Sequence, residues 1–162
     1  MGALQSLMSW WAVYYADHQM ASLIVRYLHL AGLMVGGGTA LAMDRLVLYA
    51  AWRPGAATPS SAVEAVRHSH AWVVPALGVV VGTGLLMTLA DLPTFQASPL
   101  FWVKMASVVV LLTNGGLLLA AERTCAARGV AAGWARLVTS SGASLVLWLF
   151  ILWMGAWLTV AA

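Results

Sequence analysis

Four apolar stretches that are long enough to cross a membrane constrain the fold of this chain more than any motif does. A transmembrane helix needs roughly 20 predominantly apolar residues to cross a hydrocarbon core about 30 Å thick. Only 8% of the 162 residues are charged and 62% are hydrophobic, whereas soluble domains carry roughly 25% charged residues. So few charges cannot cover the surface of a soluble fold. The sequence therefore predicts an all-α integral membrane protein, a bundle of four transmembrane helices.

The predicted elements follow one another along a single transmembrane domain, 1–162. A short helix over about 3–16 is expected to lie in the membrane interface, because its aromatic residues suit the headgroup layer. These residues are Trp10, Trp11, Tyr14 and Tyr15. The four spans that follow are predicted at about 21–51, 62–90, 99–127 and 131–159.

Turn and capping residues separate the first two spans. Pro54, Gly55 and Pro59 predict a break in the helix. Ser61 and Glu64 have the spacing of a capping box, in which a hydroxyl and a carboxylate satisfy the first free N–H groups of a helix. We therefore expect the second helix to open at this box.

The basic residues predict the orientation. Positively charged connections between spans stay in the cytoplasm. The first and third connections are flanked by Arg45, Arg53, Arg67, Arg123, Arg128 and Arg136. The middle connection and both termini carry no lysine or arginine. The pattern favours a multi-pass protein of a bacterial-type inner (cytoplasmic) membrane, N-out and C-out. The basic residues form no cluster of the kind that binds nucleic acid.

Three ionisable residues within the spans are the main candidates for a functional site, since a charge is costly there. Arg26 and His29 lie near the outer end of the first span, and Lys104 near the outer end of the third. Arg26 and His29 are three residues apart and share a helix face. This arrangement suits b-type haem, with the imidazole on iron and the guanidinium on a propionate.

Other roles are open for the same side chains. Lys104 is either the second axial ligand, as a neutral amine, or it extends to the membrane surface or pairs with a propionate. His29 can also serve only as a hydrogen-bonding residue. The nearby glycines open a helix surface to a flat ligand or to another helix. These glycines are Gly32, Gly36, Gly37 and Gly38.

A second group of polar residues lies at the cytoplasmic side. His68 and His70 are about 200° apart on a helix, so only one of them can face the bundle interior. One of them could bind the iron of a second haem, as an alternative metal ligand, or relay protons. The other interpretation is that both lie at a solvated helix start. Asp44 and Arg45 are expected to form interfacial ion pairs.

Two segments resemble a known family. YLHLAGLMVGGGTALAMDRLVLYA and FWVKMASVVVLLTNG are similar to segments of the small four-helix membrane proteins around HemJ-type protoporphyrinogen oxidases and CopD-like copper-resistance proteins. His29, Arg45 and Tyr49 match the first-helix pattern, and Lys104 matches the third-helix lysine. The resemblance implies b-haem at the histidine and the lysine. The tryptophan that usually follows the histidine is replaced by glycines, the fourth helix lacks the usual ending, and RHSH is closer to CopD-like relatives.

The leading hypothesis is a haem-b-binding membrane redox protein that passes electrons between a quinol or porphyrin-like donor and a partner. Its partners would be membrane lipid, a quinone or porphyrin, and either a second copy or a membrane redox protein. The chain contains no Cys-x-x-Cys-His motif, so the haem is expected to be non-covalent. The alternatives are a HemJ-like oxidase acting on protoporphyrinogen IX, a CopD-like copper transporter and a structural accessory subunit.

Overall fold

The structure is a computed structural model that describes residues 2–53, 55 and 57–161. Helices account for 94% of these residues. No strand occurs in these ranges. Four helices are long and apolar enough to cross a membrane, which confirms the predicted all-α bundle. The helices are α1 (Ala3–Asp17), α2 (Gln19–Gly32), α3 (Gly38–Trp52), α4 (Pro59–Ala90), α5 (Leu92–Ala97), α6 (Pro99–Arg128) and α7 (Val130–Ala161).

The first span contains a widened turn. A π-helical turn, Leu33–Gly37, joins α2 to α3, so that Gln19–Trp52 is one continuous span. A π turn accommodates one more residue than an α turn and shifts the helix face that follows it. The second, third and fourth spans are α4, α6 and α7. Since consecutive spans are joined by short connections, neighbours in sequence run antiparallel.

The second span begins earlier than predicted and has a different cap. Thr58 is its N-cap, with its Oγ1 accepting a hydrogen bond from the Ser61 N–H at 3.2 Å, and Pro59 is the first helical residue. Proline is favoured there because its missing N–H would have no helical partner. The predicted capping box is therefore wrong, and Glu64 instead pairs with Arg67 at 3.8 Å. Pro54 lies outside the described residues.

Glycines bring the first span against α4 and α7. A Cβ at Gly32 would lie 2.8 Å from Val80 Cγ2 of α4, and a Cβ at Gly36 would lie 2.8 Å from Ala76 Cβ of the same helix. A Cβ at Gly37 would lie 3.1 Å from the Trp148 ring of α7. Small residues four apart allow such close helix approach in membranes. Gly32, Gly36 and Gly37 therefore contact neighbouring helices, whereas Gly38 is exposed and an added Cβ there would meet nothing within 4 Å.

The remaining contacts close the bundle on one side only. Helix α7 packs along α6 and also on α3, while α2 and α3 pack on α4. A Cβ at Gly133 would lie 2.6 Å from Ala121 O, so α7 begins in backbone contact with α6. By contrast, α4 and α6 touch only sparsely. The four spans thus form a ring that is incompletely closed between α4 and α6.

Two ends of the bundle can be distinguished. The six arginines of the first and third connections are all exposed at one end, which we call the arginine-rich end. A buried cluster packs near it, including Val47, Val63, Ala121 and Leu137. Helices α2 and α6 begin at the opposite end, which we call the N-terminal end of the bundle. There α1 packs on α4 and α2. Many large apolar side chains along the spans are exposed, as expected for surfaces that contact lipid.

Candidate functional site

The imidazole of His29 is held by α4. Its Nδ1 lies 3.0 Å from the Val80 carbonyl oxygen and 3.0 Å from Thr83 Oγ1. The Thr83 hydroxyl donates its own hydrogen to Val79 O at 2.6 Å, so its oxygen is available as an acceptor. A Cβ at Gly84 would lie 3.4 Å from His29 Cε1, and the glycine therefore leaves room for the ring.

These contacts determine which ring nitrogen carries the proton. A carbonyl oxygen only accepts hydrogen bonds, so Nδ1 of His29 must be the donor. In the neutral imidazole the lone pair is then on Nε2. Metal-binding histidines are commonly oriented in this way, with one nitrogen donating to a carbonyl and the other on the metal. His29 therefore has the chemistry of an oriented nitrogen ligand.

Lys104 is directed into the same end of the bundle. A Cβ at Gly155 of α7 would lie 3.6 Å from Lys104 Nζ, so the amine is directed toward α7. The His29 and Lys104 side chains are both half-buried. His29 of the first span and Lys104 of the third therefore lie at the same end of the bundle, with His29 held by α4 and Lys104 directed toward α7.

Arg26 is at the edge of this region. Its side chain is exposed, and Nε donates to the Tyr15 hydroxyl of α1 at 3.4 Å. Trp11 of α1 donates from Nε1 to Leu86 O of α4 at 2.8 Å. Helix α1 is therefore tied to both the first and second spans. The guanidinium keeps most of its donors available to an anionic group.

The two histidines of α4 have different surroundings. His68 is exposed, and its Nδ1 lies 2.8 Å from Glu64 O of its own helix. His70 is half-buried and lines a cavity between the spans. No group of three or more His, Cys, Asp or Glu side chains that could hold a metal ion occurs among the described residues.

Asp44 lines the same cavity and differs from expectation. It is 3% exposed, and its Oδ2 has no hydrogen-bond partner. Ser141 and Ser144 of α7 face its carboxyl group, but the Ser141 hydroxyl is also without a partner. Arg45 is exposed. Within the described ranges neither Asp44 nor Arg45 forms an ion pair, so the predicted interfacial pairs are wrong.

Several buried polar residues escaped the sequence interpretation. Asn114 of α6 donates from Nδ2 to Ser140 O of α7 at 2.9 Å, and Glu122 is 4% exposed. Thr83 supports His29. A polar residue inside an apolar span was the available signal, although the partner of each one depends on helix pairing.

The chain was compared with family models, with curated proteins and with solved structures, and none of the three comparisons finds a match.

Proposed function

We propose that this protein binds b-type haem at the N-terminal end of the bundle and serves as a membrane redox protein. His29 Nε2 would bind the iron, Lys104 would be the second ligand, and Arg26 would meet a propionate. The donor would be a quinol or a porphyrin-like molecule, and the acceptor a partner protein. In the proposed orientation the arginine-rich end is cytoplasmic, so this site lies toward the outer side of a bacterial-type inner membrane.

One observation carries the proposal, namely the hydrogen bond that holds Nδ1 of His29 against Val80 O. It orients the ring and leaves Nε2 with the lone pair that iron requires. A lysine amine has a lone pair only when it is neutral, and Lys104 is half-buried at the same end of the bundle as His29. The donor set therefore fits a nitrogen-ligated haem. Bound haem would supply a one-electron redox centre.

An oxidase acting on protoporphyrinogen IX is the other reading that the family resemblance allows. The cavity between the spans has a volume of about 240 Å³. Pockets for drug-sized ligands typically measure about 300–1,000 Å³, and a tetrapyrrole is a large ligand. Haem is also a tetrapyrrole, so the cavity volume does not separate the two readings, and we retain electron transfer because the oriented His29 imidazole supports it.

The absorption spectrum of the purified protein tests this proposal. We expect a Soret band after expression with haem supplementation, and its complete absence would end the haem hypothesis. His29→Ala should abolish haem binding, whereas His18→Ala should retain it. His18 is a suitable control because it is exposed and stacks on Tyr14 with ring centroids 4.1 Å apart.

Variants of the other two residues separate ligation from packing. Lys104→Ala should leave haem bound but change its spin state, and Lys104→Met tests whether a thioether can replace the amine. Arg26→Ala should only weaken haem retention, because a propionate near the interface can be solvated. Full retention with an unchanged spectrum in His29→Ala would move the site to His68 or His70.

A further inference from the structure

A cavity in the arginine-rich half of the bundle combines apolar walls with one polar corner. It lies between all four spans and has a volume of about 240 Å³. Leu77, Leu111 and Trp148 are among its apolar walls. Asp44, Ser69, His70 and Ser144 are its polar residues. We call this space the Asp44 cavity.

The Asp44 cavity opens sideways. Val74 of α4 and Leu112 of α6 both line it, and they are 60% and 43% exposed. These two helices face each other across the gap in the ring. Gly115 and Gly116 of α6 also line the cavity, and a Cβ at either would meet nothing within 4 Å. In a membrane this opening faces lipid, so the cavity admits molecules that dissolve in hydrocarbon.

The polar corner contains a carboxyl oxygen without a hydrogen-bond partner, although Ser141 and Ser144 lie beside the same carboxyl group. Asp44 Oδ2 is buried without a partner, and such a group costs free energy relative to one that is hydrogen-bonded. No hydrogen bond or ion pair of the His70 ring is found within the described part of the chain. A ligand hydroxyl that donates to the carboxyl of Asp44 would remove this cost. A second oxygen on the same ring would suit His70.

We propose that the Asp44 cavity binds the ring of a membrane-soluble hydroquinone, whose phenolic hydroxyl donates to Asp44. The apolar walls suit the ring, and the lateral opening accommodates an apolar tail. A bound cation would require several oxygen ligands around it, whereas most of this surface is hydrocarbon. The inference rests on the proposed redox function only in that the bound hydroquinone would be the electron donor. The binding itself requires no haem.

Binding of a decyl-substituted benzoquinol to the purified protein in lipid nanodiscs tests the inference, with empty nanodiscs as the background. We expect saturable binding, and Asp44→Leu should weaken it at least about tenfold, as for loss of a hydrogen bond to a charged group. Circular dichroism should show that the same variant still folds, because leucine replaces the carboxyl group in a cavity with mostly apolar walls. Unchanged affinity in Asp44→Leu would overturn the proposal.

A matched pair of glycine variants tests the location of the ligand. Gly116→Leu should fill the cavity and abolish binding, whereas Gly82→Leu should leave it unchanged. A Cβ at Gly82 of α4 also meets nothing within 4 Å, but this residue does not line the cavity. Equal effects of the two substitutions would contradict the assignment. So would sodium chloride displacing the quinol competitively, which would indicate a cation site.

The haem-deficient variant separates this inference from the proposed function. Quinol binding should persist in His29→Ala. A wild-type protein with a Soret band but no quinol binding would overturn the inference and leave the haem proposal intact. Quinol binding without any Soret band would support the cavity assignment and overturn the haem proposal.

Discussion

At the scale of single residues, two polar side chains in apolar helices differ in whether the protein satisfies them. His29 is held by a carbonyl and a hydroxyl of α4, whereas the Oδ2 atom of Asp44 is buried without any partner. The first arrangement fixes a ring in one orientation, as a ligand to a metal requires. The second leaves a buried acceptor for which an external donor is the natural partner.

Thr83 should act on the haem through His29. Thr83→Val removes one of the two acceptors of Nδ1 while Val80 O remains, so we expect roughly tenfold weaker haem affinity, at the low end for such supporting residues. The reduction potential should also shift, because the hydrogen bond changes the basicity of the ligand. Haem titration and redox potentiometry measure these two effects.

Thr88→Val is the control for this substitution. The Thr88 hydroxyl donates to Gly84 O of its own helix at 2.9 Å, as threonines in helices commonly do, and Thr88 lies about 140° around the helix from Thr83. A potential that shifts equally in both variants would show that Thr83 matters only for the helix.

Much of this residue-scale detail was inaccessible from the sequence. Placing His29 and Lys104 near the same end required only span boundaries and antiparallel order, which hydropathy supplies. Knowing that Nδ1 meets Val80, or that Asp44 faces a cavity, requires the rotation of each helix about its axis. That rotation is set by side-chain packing between helices, here by the glycines that admit Ala76 and Trp148.

At the scale of elements, the glycines of the first span determine how closely it approaches α4. Gly32, Gly36 and Gly37 contact neighbouring helices, whereas an added Cβ at Gly38 would meet nothing within 4 Å. The start of α4 is a second case, because Thr58 and Pro59 compete successfully with the Ser61–Glu64 pattern. A capping motif predicts a helix start only where no better cap precedes it.

Gly36→Ala should destabilise the bundle. The added Cβ would lie 2.8 Å from Ala76 Cβ, which is fixed to the backbone of α4 and cannot rotate away. We expect a loss of about 1–3 kcal/mol, the usual range for overpacking. Unfolding of the protein in detergent micelles, followed by circular dichroism, measures this loss.

Gly38→Ala and a compensating variant provide the comparison. Gly38 has nothing within 4 Å of an added Cβ, so its substitution should be nearly neutral. Gly36→Ala combined with Ala76→Gly should recover most of the lost stability, because the crowded pair is exchanged. A cost of the same size at Gly38 would attribute the effect to the π-helical turn and not to contact with α4.

At the scale of the whole molecule, the even number of spans and the exposed arginines define two unlike ends. The described arginines of the first and third connections share one end, while Lys104 and Arg26 lie toward the other. Sequence reasoning captures this separation because charge counts and hydropathy do not depend on helix rotation. It does not capture the order of the helices in the ring, or the gap between α4 and α6.

Reporter fusions test the proposed orientation. Because positively charged connections are retained in the cytoplasm, reporters placed after Arg53 and after Gly129 should report the cytoplasm. A reporter within Leu92–Ala97 should report the exterior. The reverse pattern would place the His29–Lys104 region on the cytoplasmic side of the membrane.

The sideways opening between α4 and α6 also determines how occupancy of the Asp44 cavity should be measured. A molecule that enters from hydrocarbon equilibrates with the bilayer, so its effective concentration is its mole fraction among the lipids. Adding protein-free vesicles would dilute such a ligand and empty the cavity, even when the total amount in the sample is unchanged. Affinity for this site is therefore expressed as ligand molecules per lipid, and not as a concentration in water.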